Sequence, residues 1–209
     1  QVVLNDNFWL PRLKIQKEVL VPFSLKQTAF SVENFRRVGA YLRGESVTER
    51  FEGLCYTASD LFKVMEGVAY LLMLEKDEAL EAKMDDIIDV IAAAQAPDGY
   101  LYEHHILPEH LRNPVSNSRA GDKPYSNIIA SHELYNMGHM YEAAIAYYQA
   151  TGKDKLLKAV ERFADYIADY FGPEEGKCKG YPGHEIAEMA LVRLYEVTGK
   201  QKYLDLSSL

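Results

Sequence analysis

The most chemically capable side chains of this sequence lie between residues 131 and 142. His132, Tyr135, His139 and Glu142 are spaced to share one helical face, a polar stripe in an otherwise apolar segment. His132-Glu133 begins like a zinc-peptidase motif, but that motif needs its second histidine where Asn136 stands. Seven residues of helix also separate the two histidines by roughly 10 Å, too far for one metal ion. The stripe therefore either lines a pocket or consists of core polar groups that satisfy one another.

A further histidine, His184, follows Gly183 where the sequence predicts the start of a helix, beside a loop rich in glycine and tyrosine. This placement suits a ligand-binding side chain and equally suits a helix cap or a packing residue. His104, His105 and His110 fall in a polar loop and are predicted to be solvated.

Several carboxylates are available for the paired-acid chemistry of a glycosidase, but their spacing selects no pair. They include Asp60, Glu66, Asp98, Glu185 and Glu188. Fifteen tyrosines offer flat apolar faces with polar tips, which suit sugars, although most are expected in the core. Cys55 and Cys178 form no Cys-x-x-Cys pattern and no disulfide framework, so both are interpreted as buried or half-buried thiols.

The elements that position these groups are predicted to be helices almost throughout. Apolar residues recur at helical spacing, as in the series Leu156, Val160, Phe163 and Ile167, and no segment sustains a period of two. Residues 148–153 (YQATGK) resemble residues 195–200 (YEVTGK) 47 positions later. Such self-similarity indicates stacked helical hairpins.

The turns between the predicted helices alternate between short and long. Gly152 suits the left-handed position after a helix, and Asp154 suits the next N-cap. The returns at the other end, around residues 96–125 and 171–183, are longer and rich in Gly, Pro and Tyr. This alternation of short and long turns is typical of a ring of helical hairpins. Such a ring is closed tightly at one end and carries a site on loops at the other. A last helix starting near Lys200 has only two turns, so we expect the chain to be truncated.

Composition limits the partners. The net charge of −8 leaves no basic stripe for nucleic acid. The longest apolar run, residues 69–74, is too short to span a bilayer, so no membrane partner is expected. No basic-then-apolar leader follows Gln1, so a signal peptide either never existed or has been removed.

Several blocks of the sequence resemble glycoside hydrolase family 127, the β-L-arabinofuranosidase type. The most specific block is Ser131-His132-Glu133-Leu134-Tyr135 with its downstream Gly138-His139. The other matching blocks are residues 7–9, 59–63, 95–101, 142–144, 148–152, 171–177 and 183–186.

The resemblance implies that residues 1–209 are the N-terminal portion of an (α/α)6 toroid, about its first half, with β-sandwich domains following in the full protein. It also implies retaining hydrolysis by a zinc-bound cysteine thiolate with a glutamate acid/base, since zinc keeps a thiolate deprotonated. Those groups come from the later half of the family's barrel, so this chain is expected to hold no zinc and no catalytic residue. His132, His184 and Asn34 match positions that bind the sugar, an L-arabinofuranoside, although the match at Asn34 is loose.

Two alternatives to this assignment stay open. One is another helical-toroid carbohydrate enzyme, such as an unsaturated glucuronyl hydrolase, a lyase or an epimerase. The other is a non-catalytic half-barrel that binds sugar or assembles with a partner. The compartment is not determined, and export is favoured slightly because glycan degraders of this type are often exported. We further expect His132 and His184 on one rim of the ring, and self-association through exposed inner-helix faces.

Overall fold

The computed structural model describes residues 4–208, and this part of the chain is helical, as predicted. It contains no strand, and an isolated bridge joins Phe171 to Cys178. In chain order the helices are α1 Trp9–Ile15, α2 Val21–Gln27, α3 Ala29–Leu42, α4 Ala58–Leu74, α5 Glu78–Ala93, α6 Glu103–Ile106, α7 Pro114–Ala120, α8 Glu133–Thr151, α9 Lys155–Tyr170, α10 Ala187–Thr198 and α11 Gln201–Ser207. A π-helical turn at Gln16–Leu20 joins α1 to α2, and a 3-10 turn at Glu109–Leu111 follows α6.

The long helices form hairpins arranged as a partial α/α toroid, in agreement with the predicted fold class. Helix α8 packs between α4 and α10, and these three make the inner layer. Helices α3, α5, α9 and α11 follow one another in the outer layer. Because α8 contacts neighbours on most sides, its buried positions run almost continuously from Glu133 to Tyr147.

The short turns repeat in structure as they do in sequence. Gly152 and Gly199 both end their helices in the left-handed conformation, with φ of 75° and 69°. The lysine after each glycine reaches back to the preceding outer helix: Lys153 pairs with Glu81 at 2.5 Å, and Lys200 pairs with Glu161 at 2.6 Å. The 47-residue repeat is therefore a repeat of tertiary contacts as well.

Asp154 occupies the predicted N-cap position of α9 but makes no capping hydrogen bond. Its carboxylate instead pairs with Lys158 at 2.7 Å. Both side chains are exposed, so either arrangement contributes little to stability.

His104 and His105 correct the prediction of a solvated polar loop. Both are buried, at 0% and 7% exposure, in the one-turn helix α6. The ring of His104 packs edge-on against Phe51 at 5.2 Å between centroids. The sequence of this segment is polar, but packing against residues distant in the chain, such as Phe51 and Glu133, buries both rings. His110, by contrast, is exposed as predicted.

The exposed apolar residues are unevenly distributed, and self-association through the inner-helix faces stays a prediction. The inner helices carry a few exposed apolar side chains, such as Tyr70 and Met189, whereas the main group lies on α1, the π turn and α2. It consists of Trp9, Leu10, Ile15, Val19, Leu20 and Phe23. No helix among residues 4–208 is both long and apolar enough to cross a membrane.

Candidate functional site

The N-terminal ends of the three inner helices meet at one mouth of the partial ring. Tyr56 lies just before α4, His132 is the N-cap residue of α8, and His184 lies just before α10. The ring centroids of His132 and His184 are 4.9 Å apart, and those of Tyr56 and His132 are 4.7 Å apart. The expectation that both histidines share one rim is confirmed. His184 precedes the first turn of α10, which begins at Ala187, so it lies on the loop and not on the helix.

Tyr135 stands at the centre of this cluster. Its ring lies 5.6 Å from that of His132, 5.5 Å from that of His184 and 4.6 Å from that of His139. Lys63 of α4 donates to the Tyr135 hydroxyl at 2.8 Å. Lys63, a binding-site candidate that the spacing of residues had not singled out, therefore ties the ends of α4 and α8 together.

The ring of His132 makes a hydrogen bond through Nδ1, which leaves Nε2 for a ligand. Its Nδ1 lies 2.6 Å from the carbonyl oxygen of Ala130, and because a carbonyl only accepts, Nδ1 carries a proton. Burial lowers the pKa of His132 below its ordinary value, and the nearby His184 lowers it further. The neutral ring at pH 7 therefore leaves Nε2 as an acceptor for a hydroxyl group.

The deeper stripe residues differ in environment from the mouth. Burial lowers the pKa of His139 to about 4, with Lys63 acting in the same direction, so His139 is neutral at pH 7. Glu142 is buried and forms an ion pair with Arg193 of α10. The core interpretation holds for Glu142, which is a paired core group, whereas His132, Tyr135 and His139 are half-buried and their role as lining of a pocket stays a prediction.

Two glycines allow the His184 loop to approach α8 closely. A Cβ on Gly138 would come within 2.8 Å of the Ile186 side chain and 3.0 Å of the Ala187 nitrogen. A Cβ on Gly183 would overlap the carbonyl oxygen of Ile129, in the loop that leads to His132. Gly138 and Gly183 thus allow the loop of His184 to lie close to α8 and to the loop that leads to His132.

Asn34 does not join this cluster. Its side chain is completely buried, with Nδ2 donating to the Glu52 carbonyl at 2.8 Å and Oδ1 accepting from the Glu52 N–H at 3.0 Å. Arg37 donates to the same oxygen at 2.9 Å. The predicted sugar contact is thus not available to it in this structure, because the loose sequence match fell on a residue that anchors the loop entering α4.

Four of the five candidate carboxylates are engaged in local contacts, and Glu185 is exposed. Asp60 lies 3.7 Å from Lys63, and Glu66 accepts from Tyr70 at 2.7 Å. Asp98 accepts from the Tyr100 N–H at 3.0 Å, and Glu188 from the Ile186 N–H at 3.3 Å. These contacts explain the four acids as helix-surface and turn residues.

The residues of this chain do not fit a zinc site. No group of three or more His, Cys, Asp or Glu side chains suited to a metal occurs within residues 4–208. Cys55 is buried, and burial raises the pKa of its thiol, which opposes the thiolate form that zinc binds. Cys178 is half-buried beside a separate apolar cavity.

That cavity has a volume of about 340 Å³ and lies behind the loop at 171–182. Its walls include Leu134, Met137, Ile167, Phe171 and Leu191. Lys179, Tyr181, Glu188 and Ser207 also line it, but its walls are mainly apolar, which suits a sugar less well. The polar mouth beside it is the better candidate for sugar binding.

Comparisons with known proteins agree with this architecture. Residues 1–209 match the family described as β-L-arabinofuranosidase, GH127 catalytic domain. A non-reducing end β-L-arabinofuranosidase of Bifidobacterium longum subsp. longum is 42% identical over 160 residues, which cover 76% of this chain and 23% of the relative.

Two solved structures are similar along nearly the whole chain. A GH127 β-arabinofuranosidase superposes with a TM-score of 0.88 at 36% identity, covering 98% of this chain and 32% of its own. A GH127 β-L-arabinofuranosidase from Geobacillus stearothermophilus superposes with a TM-score of 0.85 at 38% identity, covering 100% of this chain and 32% of its own.

The fold is therefore that of a glycoside hydrolase catalytic domain with a helical toroid. Within that class, the chain belongs to the GH127 β-L-arabinofuranosidase catalytic-domain family. It spans about a third of the length of the two solved relatives and less of the curated one.

Proposed function

We propose that this chain supplies the sugar-binding mouth of a retaining β-L-arabinofuranosidase. Residues 1–209 form the N-terminal portion of its (α/α)6 barrel, and the zinc site, the cysteine nucleophile, the glutamate acid/base and the β-sandwich domains belong to other parts of the full-length enzyme. The names of the relatives support the substrate class. Zinc, when bound there, supplies a deprotonated thiolate.

The observation that carries this proposal is the pair of imidazoles 4.9 Å apart at a half-exposed mouth. Nε2 of His132 accepts a hydrogen bond from one hydroxyl, and His184 reaches a neighbouring hydroxyl of the same furanose ring. Tyr56 and Tyr135 flank the two imidazoles and offer aromatic faces to the sugar's C–H groups. A neutral His132 with tyrosine neighbours suits an uncharged pentose better than a uronic acid, which favours this assignment over a glucuronyl hydrolase or a lyase.

The test is turnover of aryl glycosides by the full-length enzyme. We expect hydrolysis of the β-L-arabinofuranoside with retained anomeric configuration, followed by NMR of the first-formed product, and slow or no turnover of the α-anomer and of the β-L-arabinopyranoside. Preference for an unsaturated uronide would contradict the proposal. Binding of L-arabinofuranosides without hydrolysis would support a non-catalytic sugar-binding role instead.

A further inference from the structure

Two bulky residues near the mouth adopt a backbone conformation that non-glycine residues seldom take. Tyr125 and His132 have φ of 57° and 60°, which places both in the left-handed region that favours glycine. Such conformations persist where the surrounding contacts enforce them, and they concentrate at functional sites. Residues 125–132 form the connection that delivers His132 to the mouth.

One buried carboxylate holds both ends of this connection. Glu133 is 1% exposed, and its Oε2 accepts from the Tyr125 backbone N–H and from the Ser131 hydroxyl, both at 2.9 Å. Its Oε1 accepts from the Tyr100 hydroxyl at 2.5 Å. Three donors from different parts of the chain therefore converge on the side chain that directly follows His132.

The Glu133 side chain itself faces away from solvent and from the mouth. Its partners are Tyr100, Tyr125 and Ser131, all of them buried, and His105 lies 3.3 Å from Oε1 on the same side. The Ser131 carbonyl is fixed separately by the Tyr102 hydroxyl at 2.8 Å. Any influence of Glu133 on a ligand must pass through the backbone of the connection.

We infer that Glu133 is a positioning residue, whose carboxylate keeps the connection at 125–132 folded so that His132 stays left-handed with its ring against His184. A carboxylate suits this task because its two oxygens accept from all three donors at once. An amide in its place offers one acceptor oxygen and one donor group, and the Tyr125 N–H cannot turn to another partner. The part of the inference that concerns sugar rests on the proposed function.

The test compares Glu133→Gln with a matched control, Glu103→Gln, in the full-length enzyme. Glu103 is also a buried carboxylate, at 2% exposure, but its Oε1 has no hydrogen-bond partner. For Glu133→Gln we expect KM for the aryl arabinofuranoside to rise on the order of tenfold, as for loss of one buried hydrogen bond, while Glu103→Gln keeps its KM.

A double-mutant cycle separates positioning from general support of the fold. If Glu133 acts through His132, the variant combining Glu133→Gln with His132→Ala should be no worse than His132→Ala alone. Additive losses, or an unchanged KM in Glu133→Gln, would overturn the inference. If Glu133→Gln fails to fold, Ser131→Ala removes one of the three donors and should show the same non-additivity with a smaller loss.

A crystal structure of the Glu133→Gln variant decides the inference independently of activity. We expect φ at residue 132 to leave the left-handed region, or the His132–His184 separation to exceed 4.9 Å. An unchanged connection would overturn the inference even if the enzyme hydrolyses arabinofuranosides. If the wild-type enzyme does not act on arabinofuranosides, the proposed function fails. The crystal structure of the Glu133→Gln variant then decides the role of Glu133 by itself.

Discussion

His132 and His184 lie with ring centroids 4.9 Å apart although 52 positions separate them in the chain. Each precedes an inner helix, and those helices, α8 and α10, pack against each other with their N-terminal ends at one mouth. Two side chains delivered in this way to one mouth are close enough to contact the same small sugar. Most of the predictions below concern this mouth and its surroundings.

Replacing either histidine by alanine in the full-length enzyme should weaken binding of the transition state. From kcat/KM we expect a loss of transition-state stabilisation of roughly 1–3 kcal/mol for His132→Ala and for His184→Ala. This is the range for removing a hydrogen-bond partner of a buried polar group. Zinc content should not change. The exposed His110→Ala is the matched control, and normal kinetics in His132→Ala would refute the assignment.

Adding a methyl group at Gly183 should displace His184. The new Cβ would overlap the Ile129 carbonyl oxygen, which is backbone and cannot rotate away, so the loop must shift. We expect Gly183→Ala to lose substrate affinity as His184→Ala does. Gly67→Ala is the control: its Cβ meets nothing within 4 Å in helix α4, so the variant should gain about 0.5–1 kcal/mol of stability and keep its affinity. Equal kinetics in the two variants would argue against a role for this close approach.

Glu103→Gln should change how stability depends on pH. Burial raises the pKa of the Glu103 carboxyl to about 7, from an ordinary value of 4.5. Since the folded-state pKa is the higher one, the stabilising contribution of the protonated acid is full below pH 4.5 and is lost as pH rises through 7. The glutamine variant has no such loss, so its stability relative to wild type should increase by roughly 3 kcal/mol between pH 4.5 and 8.

The measurement is the free energy of urea unfolding of wild type and Glu103→Gln at pH 4.5 and at pH 8. The exposed Glu109→Gln is the control and should follow the wild-type pH dependence. Parallel curves for wild type and Glu103→Gln would show that the buried carboxyl titrates normally.

The 209-residue chain alone should not hydrolyse aryl arabinofuranosides, because the proposed nucleophile, acid/base and zinc ligands lie outside it. The measurement is release of the aryl group by the purified chain, with the full-length enzyme as positive control. Turnover that survives both Cys55→Ala and Cys178→Ala would show that the chemistry has been placed in the wrong part of the enzyme.

The isolated chain should self-associate, and we expect the exposed apolar residues of the N-terminal helices to form the contact. Ile15, Val19 and Phe23 follow one another at four-residue spacing and are 53%, 57% and 59% exposed. Apolar patches of this kind usually find a partner. Sedimentation should show oligomers that dissociate on Val19→Lys, whereas Val115→Lys, at an exposed position on α7, should not change them. A monodisperse wild-type monomer would contradict the prediction.

The sequence by itself determined the helical class and the hairpin repeat, and it singled out His132 and His184 as candidate binding residues. Apolar spacing along each helix and the Gly-Lys turns are local properties, so they can be read from one segment at a time. The resemblance of the His-Glu-Leu-Tyr block supplied the proposed sugar class, and the prediction that both histidines share one rim followed from the hairpin order.

Only the tertiary structure decided which polar groups face the mouth and which support it. His104 and His105 resemble loop residues in sequence but are buried. Both polar atoms of the Asn34 side chain form hydrogen bonds with the Glu52 backbone. Glu133 contacts Tyr100, 33 positions away, and Lys63 contacts Tyr135, 72 positions away. Burial and hydrogen-bond partners arise from packing between segments distant in the chain, and helical periodicity records only which face of a segment is apolar.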